Sequence, residues 1–443
     1  MATELVPEAI ACPVKPSGKA GFFSRLGPGL ITGASDDDPS GIATYSQAGA
    51  AFGYGLLWTM VLSLPLMAAI QEISARIGRI SGHGIAGNIR RHYSPWLLCP
   101  IVALLVLTNI INIGADIGAM GDAAKLLIGG PALFYAVIFS MLTVILQVFG
   151  SYSKCCTAFK LLALALFSYI LTTFMAQVSW ETALKSTFLP IFQRSSEYWA
   201  TFVAVLGTTI SPYLFFWQAS LETEEIRNHP DEESLKNAPE QAPKQFDRIR
   251  LDTYVGMAFS NVVAFFIIVA AAATLNAHGI KDVETSAQAA EALRPIAGNA
   301  AFLLFTFGIV GTGLLAVPVL AGSAAYAVGE AMKWPTGMDR KPLAAKGFYA
   351  VLAFSTLLGL AINFPTVQRL THLTPIKALF WAAVVNGVSA VPIMVIVMLM
   401  ARNPKVVGQF GRTSKLLQCM GWVATAVMAA AAALMFITMK STP

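Results

Sequence analysis

Three consecutive carboxylates stand inside an apolar segment, residues 27–52, that is long enough to cross a membrane. They are Asp36, Asp37 and Asp38, and each costs about 2.5–3.5 kcal/mol at the centre of a membrane helix. Pro39 follows directly, so the helix is predicted to break there. A helix broken inside the bilayer places free backbone carbonyls beside an acid, which is how membrane proteins build cation sites. The alternative is that the acids lie in a loop between two short buried helices.

The composition predicts a polytopic membrane protein, because 56% of the 443 residues are hydrophobic and only 12% are charged. A soluble domain carries about 25% charged residues. Residues 23–440 are predicted to form one transmembrane transporter domain of eleven helices, with the first and sixth spans broken, and residues 1–22 a disordered cytoplasmic tail. The eleven apolar spans are 27–52, 56–75, 98–124, 132–150, 157–177, 198–221, 253–276, 300–329, 347–364, 378–400 and 417–438.

The distribution of Lys and Arg predicts the orientation of the chain. With a cytoplasmic N-terminus, 22 of the 30 basic residues fall on the cytoplasmic side and 8 on the outer side. This bias favours a multi-pass protein of the bacterial inner membrane with its N-terminus in the cytoplasm. The net charge of +6 therefore reflects loops beside the lipid bilayer, and no nucleic-acid partner is expected. The acidic loop 222–252 is predicted to be a solvated connector, with a regulatory metal site as the alternative.

The sixth span contains a second predicted break, at Pro212. Proline removes a backbone donor and pushes the preceding residue, Ser211, away from helical geometry. Thr208 and Thr209 add hydroxyl groups close by. Interrupted helices at corresponding positions of two five-span halves are the signature of an inverted repeat with a central substrate site. Spans 1–5 and 6–10 would form the two repeats, followed by an eleventh span.

Several motifs recur in order and carry a resemblance to a known family. They are Gly27-Pro28-Gly29, Asp38-Pro39, Ala43-Thr44, Gln47-Ala48-Gly49-Ala50, Phe52-Gly53-Tyr54, Leu57-Trp58, Ser74-Ala75-Arg76-Ile77-Gly78 and the Gly207, Thr209, Pro212 pattern. Together they resemble the NRAMP family of divalent-metal transporters over most of residues 27–400. The resemblance implies an all-α, LeuT-like fold and import of a divalent metal ion. It implies a transported metal but no resident cofactor, and no enzyme activity is expected since no nucleotide loop occurs.

The metal ligands that the resemblance implies are partly changed in this chain. The aspartate of the first-helix motif is kept at Asp38, but its asparagine ligand is replaced by Gly41. The methionine thioether of the sixth helix is replaced by Ser211, and the family's backbone carbonyl ligand falls at Thr208. Because thioethers favour softer metals and oxygen ligands suit Mg²⁺ or Mn²⁺, we expect a hydrated Mg²⁺ ion, with Mn²⁺ as the alternative. The alternative interpretation is that Ser211 binds no metal and only forms part of the helix kink.

A second group of departures concerns protons. The family's histidine of the sixth helix falls at Tyr213, and acids of its third helix fall at Asn109 and Ala119, which leaves Asp116. Few groups remain that titrate near neutral pH, so transport without proton coupling is expected. This pattern resembles the NRAMP-related magnesium transporter branch. The candidates for the pathway or for coupling are Asp36, Asp37, Asn109, Asp116, Thr209 and Tyr213.

Three other functions are compatible with parts of the pattern. One is a proton-coupled Mn²⁺ or Fe²⁺ importer that uses Asp116. Another is a sodium-coupled symporter of organic solutes, in which Asp38 binds Na⁺ or an amine. A non-transporting sensor is disfavoured because no sensory domain is attached. We expect alternating access by rocking of a bundle of spans 1, 2, 6 and 7, in a monomer or weak oligomer.

Overall fold

The computed structural model describes residues 32–33, 35–149, 164–371, 373–412 and 414–440. Within these ranges all regular structure is helical. The α-helices are α1 Pro39–Phe52, α2 Trp58–Ser81, α3 Ile85–His92, α4 Pro95–Ile128, α5 Ala132–Phe149, α6 Phe167–Met175, α7 Trp180–Phe188, α8 Ser196–Thr209, α9 Pro212–Asn228, α10 Ala242–Thr274, α11 Ser286–Glu291, α12 Arg294–Ala297, α13 Ala301–Met332, α14 Lys346–Ala361, α15 Pro365–Thr371, α16 Pro375–Arg402, α17 Pro404–Val407 and α18 Lys415–Lys440. Short 3₁₀ turns occupy Leu164–Leu166, Pro239–Gln241, Asn276–His278, Gly298–Ala300 and Gly408–Arg412.

Most predicted spans correspond to single helices. Among the described residues, eight helical stretches are long and apolar enough to cross a membrane, and they match spans 2, 3, 4, 6, 7, 8, 10 and 11. Span 9 is the 16-residue helix α14. The start of span 1 and the first seven residues of span 5 lie outside the described residues, as does the predicted tail 1–22. The total of eleven helices therefore stays a prediction.

Several long helices begin at a capped proline. Proline fits the first turn because its missing N–H would have no partner inside the helix. Ser94 caps α4 before Pro95, and Thr374 caps α16 before Pro375. Helix α2 ends at Gly82, where the backbone φ of 66° favours glycine. The N–H of Gly82 bonds to the carbonyl oxygen of Gly78. Local sequence thus fixes where these spans start and stop.

The helices pack in two groups that meet at the broken spans. α1 packs on α10, and α2 packs on α9 and α10, while α4 and α13 form the largest contact outside that group. α16 lies against α1, α4 and α8. Two glycines make close approach possible, since a Cβ at Gly207 would lie 2.2 Å from the carbonyl oxygen of Ala383, and one at Gly78 would lie 2.2 Å from that of Ala219. α18 packs on α2, α8 and α16 at the periphery.

The prediction for the acidic loop 222–252 is wrong at both ends. α9 continues to Asn228 and α10 begins at Ala242, so only residues 229–241 connect them. Glu222 and Glu224 are buried. Glu222 pairs with Arg248 across the two helices, and Glu224 accepts a hydrogen bond from Tyr326. A run of charged residues is usually exposed to solvent. Here the prediction fails because neighbouring helices supply bonding partners for these glutamates.

Candidate functional site

The first break lies between Asp36, where short helical turns end, and Pro39, where α1 begins. Asp38 has extended backbone (φ −73°, ψ 170°) and is buried. Its Oδ1 atom accepts hydrogen bonds from the N–H of Gly41 at 2.8 Å and from the hydroxyl of Ser40 at 2.6 Å. One carboxylate oxygen therefore caps the helix. The other oxygen, Oδ2, faces the second break.

The second break lies between α8 and α9. Ile210 and Ser211 leave helical geometry, with ψ of 61° and 127°, and Pro212 starts the next helix. The Ser211 hydroxyl lies 2.8 Å from the carbonyl oxygen of Gly207 and 2.9 Å from that of Thr208. It carries one proton and serves one carbonyl at a time, so its lone pairs remain free to accept a hydrogen bond or bind a cation. Ser211 can thus be a kink residue and a ligand at once.

Tyr213 joins the two breaks. Its hydroxyl lies 3.3 Å from the carbonyl oxygen of Ser35 and 3.4 Å from Oδ2 of Asp38. The residue is buried, and it sits in the first turn of α9. The position where the resemblance expects a histidine thus holds a phenol that donates to the carboxylate of span 1.

Tyr45 is a second link that the sequence reasoning missed. Its hydroxyl accepts a hydrogen bond from Thr208 at 3.0 Å, which connects α1 to α8. A Cβ at Gly41 would lie 3.2 Å from the Tyr45 ring and 3.7 Å from Oδ1 of Asp38. Asp38, Gly41 and Thr208 are therefore gathered around one buried tyrosine. The sequence does contain a signal for this contact. Tyr45 follows Asp38 by seven residues, which is two helical turns and places both on the same helix face.

Asp36 and Asp37 face away from this group. The hydroxyl of Ser260, on α10, lies 2.6 Å from Oδ2 of Asp36 and 3.0 Å from Oδ1 of Asp37. Both acids are buried. The remaining oxygen of each has no hydrogen-bond partner among the described residues. The two acids therefore lie inside the contact between span 1 and span 7, and neither is exposed.

The remaining candidate residues of the pathway have different surroundings. Asp116 is fully buried on α4, and within the described residues neither of its carboxylate oxygens has a hydrogen-bond partner. It lies within electrostatic range of Asp38. Asn109 instead donates to the carbonyl of Leu320 at 2.9 Å and to Ser323 at 2.6 Å, so its contacts are with α13. Thr209 bonds only to carbonyls of its own helix among the described residues.

The donor set at the two breaks consists of oxygen atoms. In the described part of the chain, no three His, Cys, Asp or Glu side chains converge as a metal cluster. The contacts at the breaks are the Tyr213 hydroxyl beside the Asp38 carboxylate, the Thr208 hydroxyl on Tyr45, and the Ser211 hydroxyl on the carbonyls of Gly207 and Thr208. Such oxygen donors suit hard cations that keep part of their water shell.

Ion pairs and hydrogen bonds close the bundle at the end where α2 and α9 finish. Arg79 is buried and pairs with Glu232 at 2.5 Å. Glu330, on α13, accepts from the N–H of Gly87 at 2.8 Å and from the hydroxyl of Ser220 at 3.0 Å. Together with the Glu222 and Glu224 contacts described above, these bonds tie spans 2, 6, 7 and 8 together below the site.

Comparison with known proteins gives consistent likenesses. The sequence model of the family described as "Natural resistance-associated macrophage protein-like" matches residues 29–438. The divalent metal cation transporter MntH of Klebsiella pneumoniae is 26% identical over 420 residues, covering 92% of each chain. The manganese transporter of Eremococcus coleocola has a TM-score of 0.73 at 17% identity, over 96% of this chain and 88% of that one. MhsT, solved with L-phenylalanine, has a TM-score of 0.58 at 13% identity, over 93% and 98%. These two structures confirm the all-α, LeuT-like fold.

Proposed function

Because this chain belongs to the natural resistance-associated macrophage protein-like family, we propose that it is a multi-pass membrane transporter that imports divalent metal cations. The metal that we propose is hydrated Mg²⁺, and the observation that carries the proposal is the all-oxygen donor set between the two breaks. Mg²⁺ gives up its waters reluctantly and binds through one or two carboxylates with waters retained. Asp38 supplies one such carboxylate, and Gly41, whose Cβ would lie 3.2 Å from the Tyr45 ring, adds no side-chain ligand beside it.

Mn²⁺ is the second candidate metal. It also takes oxygen ligands, and the similar protein of Eremococcus coleocola is a manganese transporter. The replacement of a thioether by the Ser211 hydroxyl favours the harder ion of the two. The likeness to MhsT rests on fold alone, so it carries no argument for an organic substrate coupled to sodium.

We further propose that import proceeds without proton coupling. All five histidines of the chain lie outside the segments that form the two breaks, and Tyr213 occupies the position of the family's histidine. A tyrosine near pH 7 is a neutral hydrogen-bond donor. The rival is a proton-coupled importer, which the unpartnered, buried carboxylate of Asp116 favours. The two mechanisms differ in whether metal entry acidifies a vesicle.

The helix packing supports an alternating-access mechanism. α10 packs on α1 and α2, α2 packs on α9, and α1 and α9 form one side of each break. α4 and α13 form the opposing pair. We propose that the first group rocks against the second, so that Asp38 meets water on each side in turn. The Tyr45–Thr208 and Tyr213–Asp38 bonds hold the two breaks in register during the occluded step.

Metal competition in proteoliposomes tests the substrate. Purified protein is reconstituted with an internal Mg²⁺ indicator, and uptake is followed while Mn²⁺ is added outside. The converse experiment follows Mn²⁺ uptake while Mg²⁺ is added. We expect saturable Mg²⁺ entry and mutual competition, absent from protein-free vesicles. Mn²⁺ uptake that excess Mg²⁺ leaves unchanged would overturn the magnesium proposal and leave the manganese importer standing.

A further inference from the structure

A groove of about 800 Å³ opens on the same end of the molecule as the ion pairs. Three separate stretches line it, namely the end of α2 with His83, the end of α3, and the connector between α9 and α10. α3 contributes Arg91 and His92, and the connector contributes Lys236 and Glu232. Its volume falls in the range of small-molecule sites, which run from about 300 to 1,000 Å³.

The acidic and basic side chains of the groove differ in how many bonding partners they have. Glu232 is taken up by Arg79 at 2.5 Å and by Gln245 at 2.8 Å. Arg91 is exposed and has no ion-pair partner among the described residues. Lys236 donates one hydrogen bond to the carbonyl of Lys405 at 2.8 Å and is otherwise exposed. A second acid, Glu233, also lines the groove and is exposed. With Glu232 paired to Arg79, the groove offers two exposed cations, Arg91 and Lys236, against one exposed acid.

The positive charges near the groove also affect the pKa of His83. Burial, followed by the charges of Arg91, Lys236, Arg90 and His92, lowers the pKa of His83 to about 4. Burial and then Arg91 also lower the pKa of Lys236. Arg91 lowers the pKa of both groups. His83 is thus neutral at pH 7.

We propose that the groove binds a phosphate group, carried either by a soluble nucleotide or by a lipid headgroup. The Arg91 guanidinium can hold two phosphate oxygens at once, and Lys236 can add a point charge from the connector between α9 and α10. The neutral imidazole of His83 can donate one further hydrogen bond. The bound phosphate joins α3 to the α9–α10 connector, and it therefore restrains the end of the bundle that must open toward this side.

Two arms of one binding experiment identify the source. In the first, the full-length protein in phosphatidylcholine nanodiscs is titrated with ATP in divalent-free buffer, by calorimetry. In the second, nanodiscs that contain phosphatidylglycerol are compared with pure phosphatidylcholine, and retained lipid is counted by native mass spectrometry. Neither arm contains a transported metal, so the result is independent of the proposed function.

We expect saturable binding in one arm, weakened about tenfold by Arg91→Gln and further by the added change Lys236→Gln, as the loss of charged hydrogen bonds predicts. Lys341→Gln removes the same charge from an exposed site outside the groove, and it should bind like wild type. Because Arg91 and Lys236 are exposed, melting temperatures should stay equal in ligand-free samples. Binding in neither arm, or equal binding by the double variant and the wild type, would overturn the proposal.

Discussion

The two broken spans use the same backbone device with different chemistry. In each, the residue before a proline is extended, with ψ of 170° at Asp38 and 127° at Ser211, and the proline starts a new helix. The first break carries three buried acids, whereas the second offers only hydroxyls and carbonyls. Proline thus fixes the geometry of both breaks. The side chain in front of it is a carboxylate at the first break and a hydroxyl at the second.

The largest expected effect comes from removing the charge at the first break. Asp38→Asn keeps a good helix cap, because asparagine also accepts from the N–H of Gly41. It removes the carboxylate whose Oδ2 lies 3.4 Å from the Tyr213 hydroxyl of the second break, a loss of roughly 3 kcal/mol of ligand interaction. Mg²⁺ uptake by proteoliposomes should fall by about a hundredfold.

Asp247→Asn is the matched control for this change, since Asp247 is exposed on α10 and should transport like wild type. Near-normal uptake by a well-folded Asp38→Asn protein would remove Asp38 from the site and erase the difference between the two breaks.

A change of ligand type at the second break should have a smaller effect. Ser211→Met restores a thioether, so Cd²⁺ and Mn²⁺ should compete against Mg²⁺ about tenfold better than in wild type. Competition curves in uptake assays measure this ratio. Ser211→Ala removes the hydroxyl without adding sulfur and should lack the gain for soft metals. Identical curves for all three proteins would mean that the Ser211 side chain does not face the metal.

Removing the Tyr45–Thr208 hydrogen bond, which links the two breaks, should have a still smaller effect on uptake. Tyr45→Phe removes the oxygen that accepts from Thr208, a bond worth about 0.5–1.5 kcal/mol. Uptake rates should fall by about two- to tenfold at saturating metal. Tyr135→Phe makes the same chemical change at an exposed turn, where the hydroxyl donates to the carbonyl of Gly129, and should leave uptake unchanged. Equal rates for both variants would argue that the breaks are held together elsewhere.

The smallest expected effect is on protons. Each charge moved gains roughly 2.3 kcal/mol per 100 mV, so the membrane potential alone can drive a divalent ion inward. In vesicles loaded with a pH dye and held at a fixed potassium-valinomycin potential, internal pH should stay flat while Mg²⁺ enters. Acidification in step with the metal, abolished by Asp116→Asn, would show instead that a buried carboxylate beside the first break carries a proton.

Sequence alone predicted the backbone of the site well and its contacts only in part. Both breaks follow from proline chemistry, which is local. Tyr45 was predictable in principle from its helical spacing to Asp38. Ser260 was not, because it lies 224 positions from Asp36 and only the packing of α1 on α10 brings them together. Asn109 shares a spacing with Asp116, yet its amide bonds to α13, a partner that no spacing reveals.

The buried bonds at the closed end have a consequence for how the protein responds to its surroundings. Arg79 is shielded from water, and Glu330 is largely enclosed by α3 and α9, so dissolved salt screens their interactions weakly. Opening that end requires several of these bonds to separate together. We therefore expect added potassium chloride to change the rate of opening only weakly.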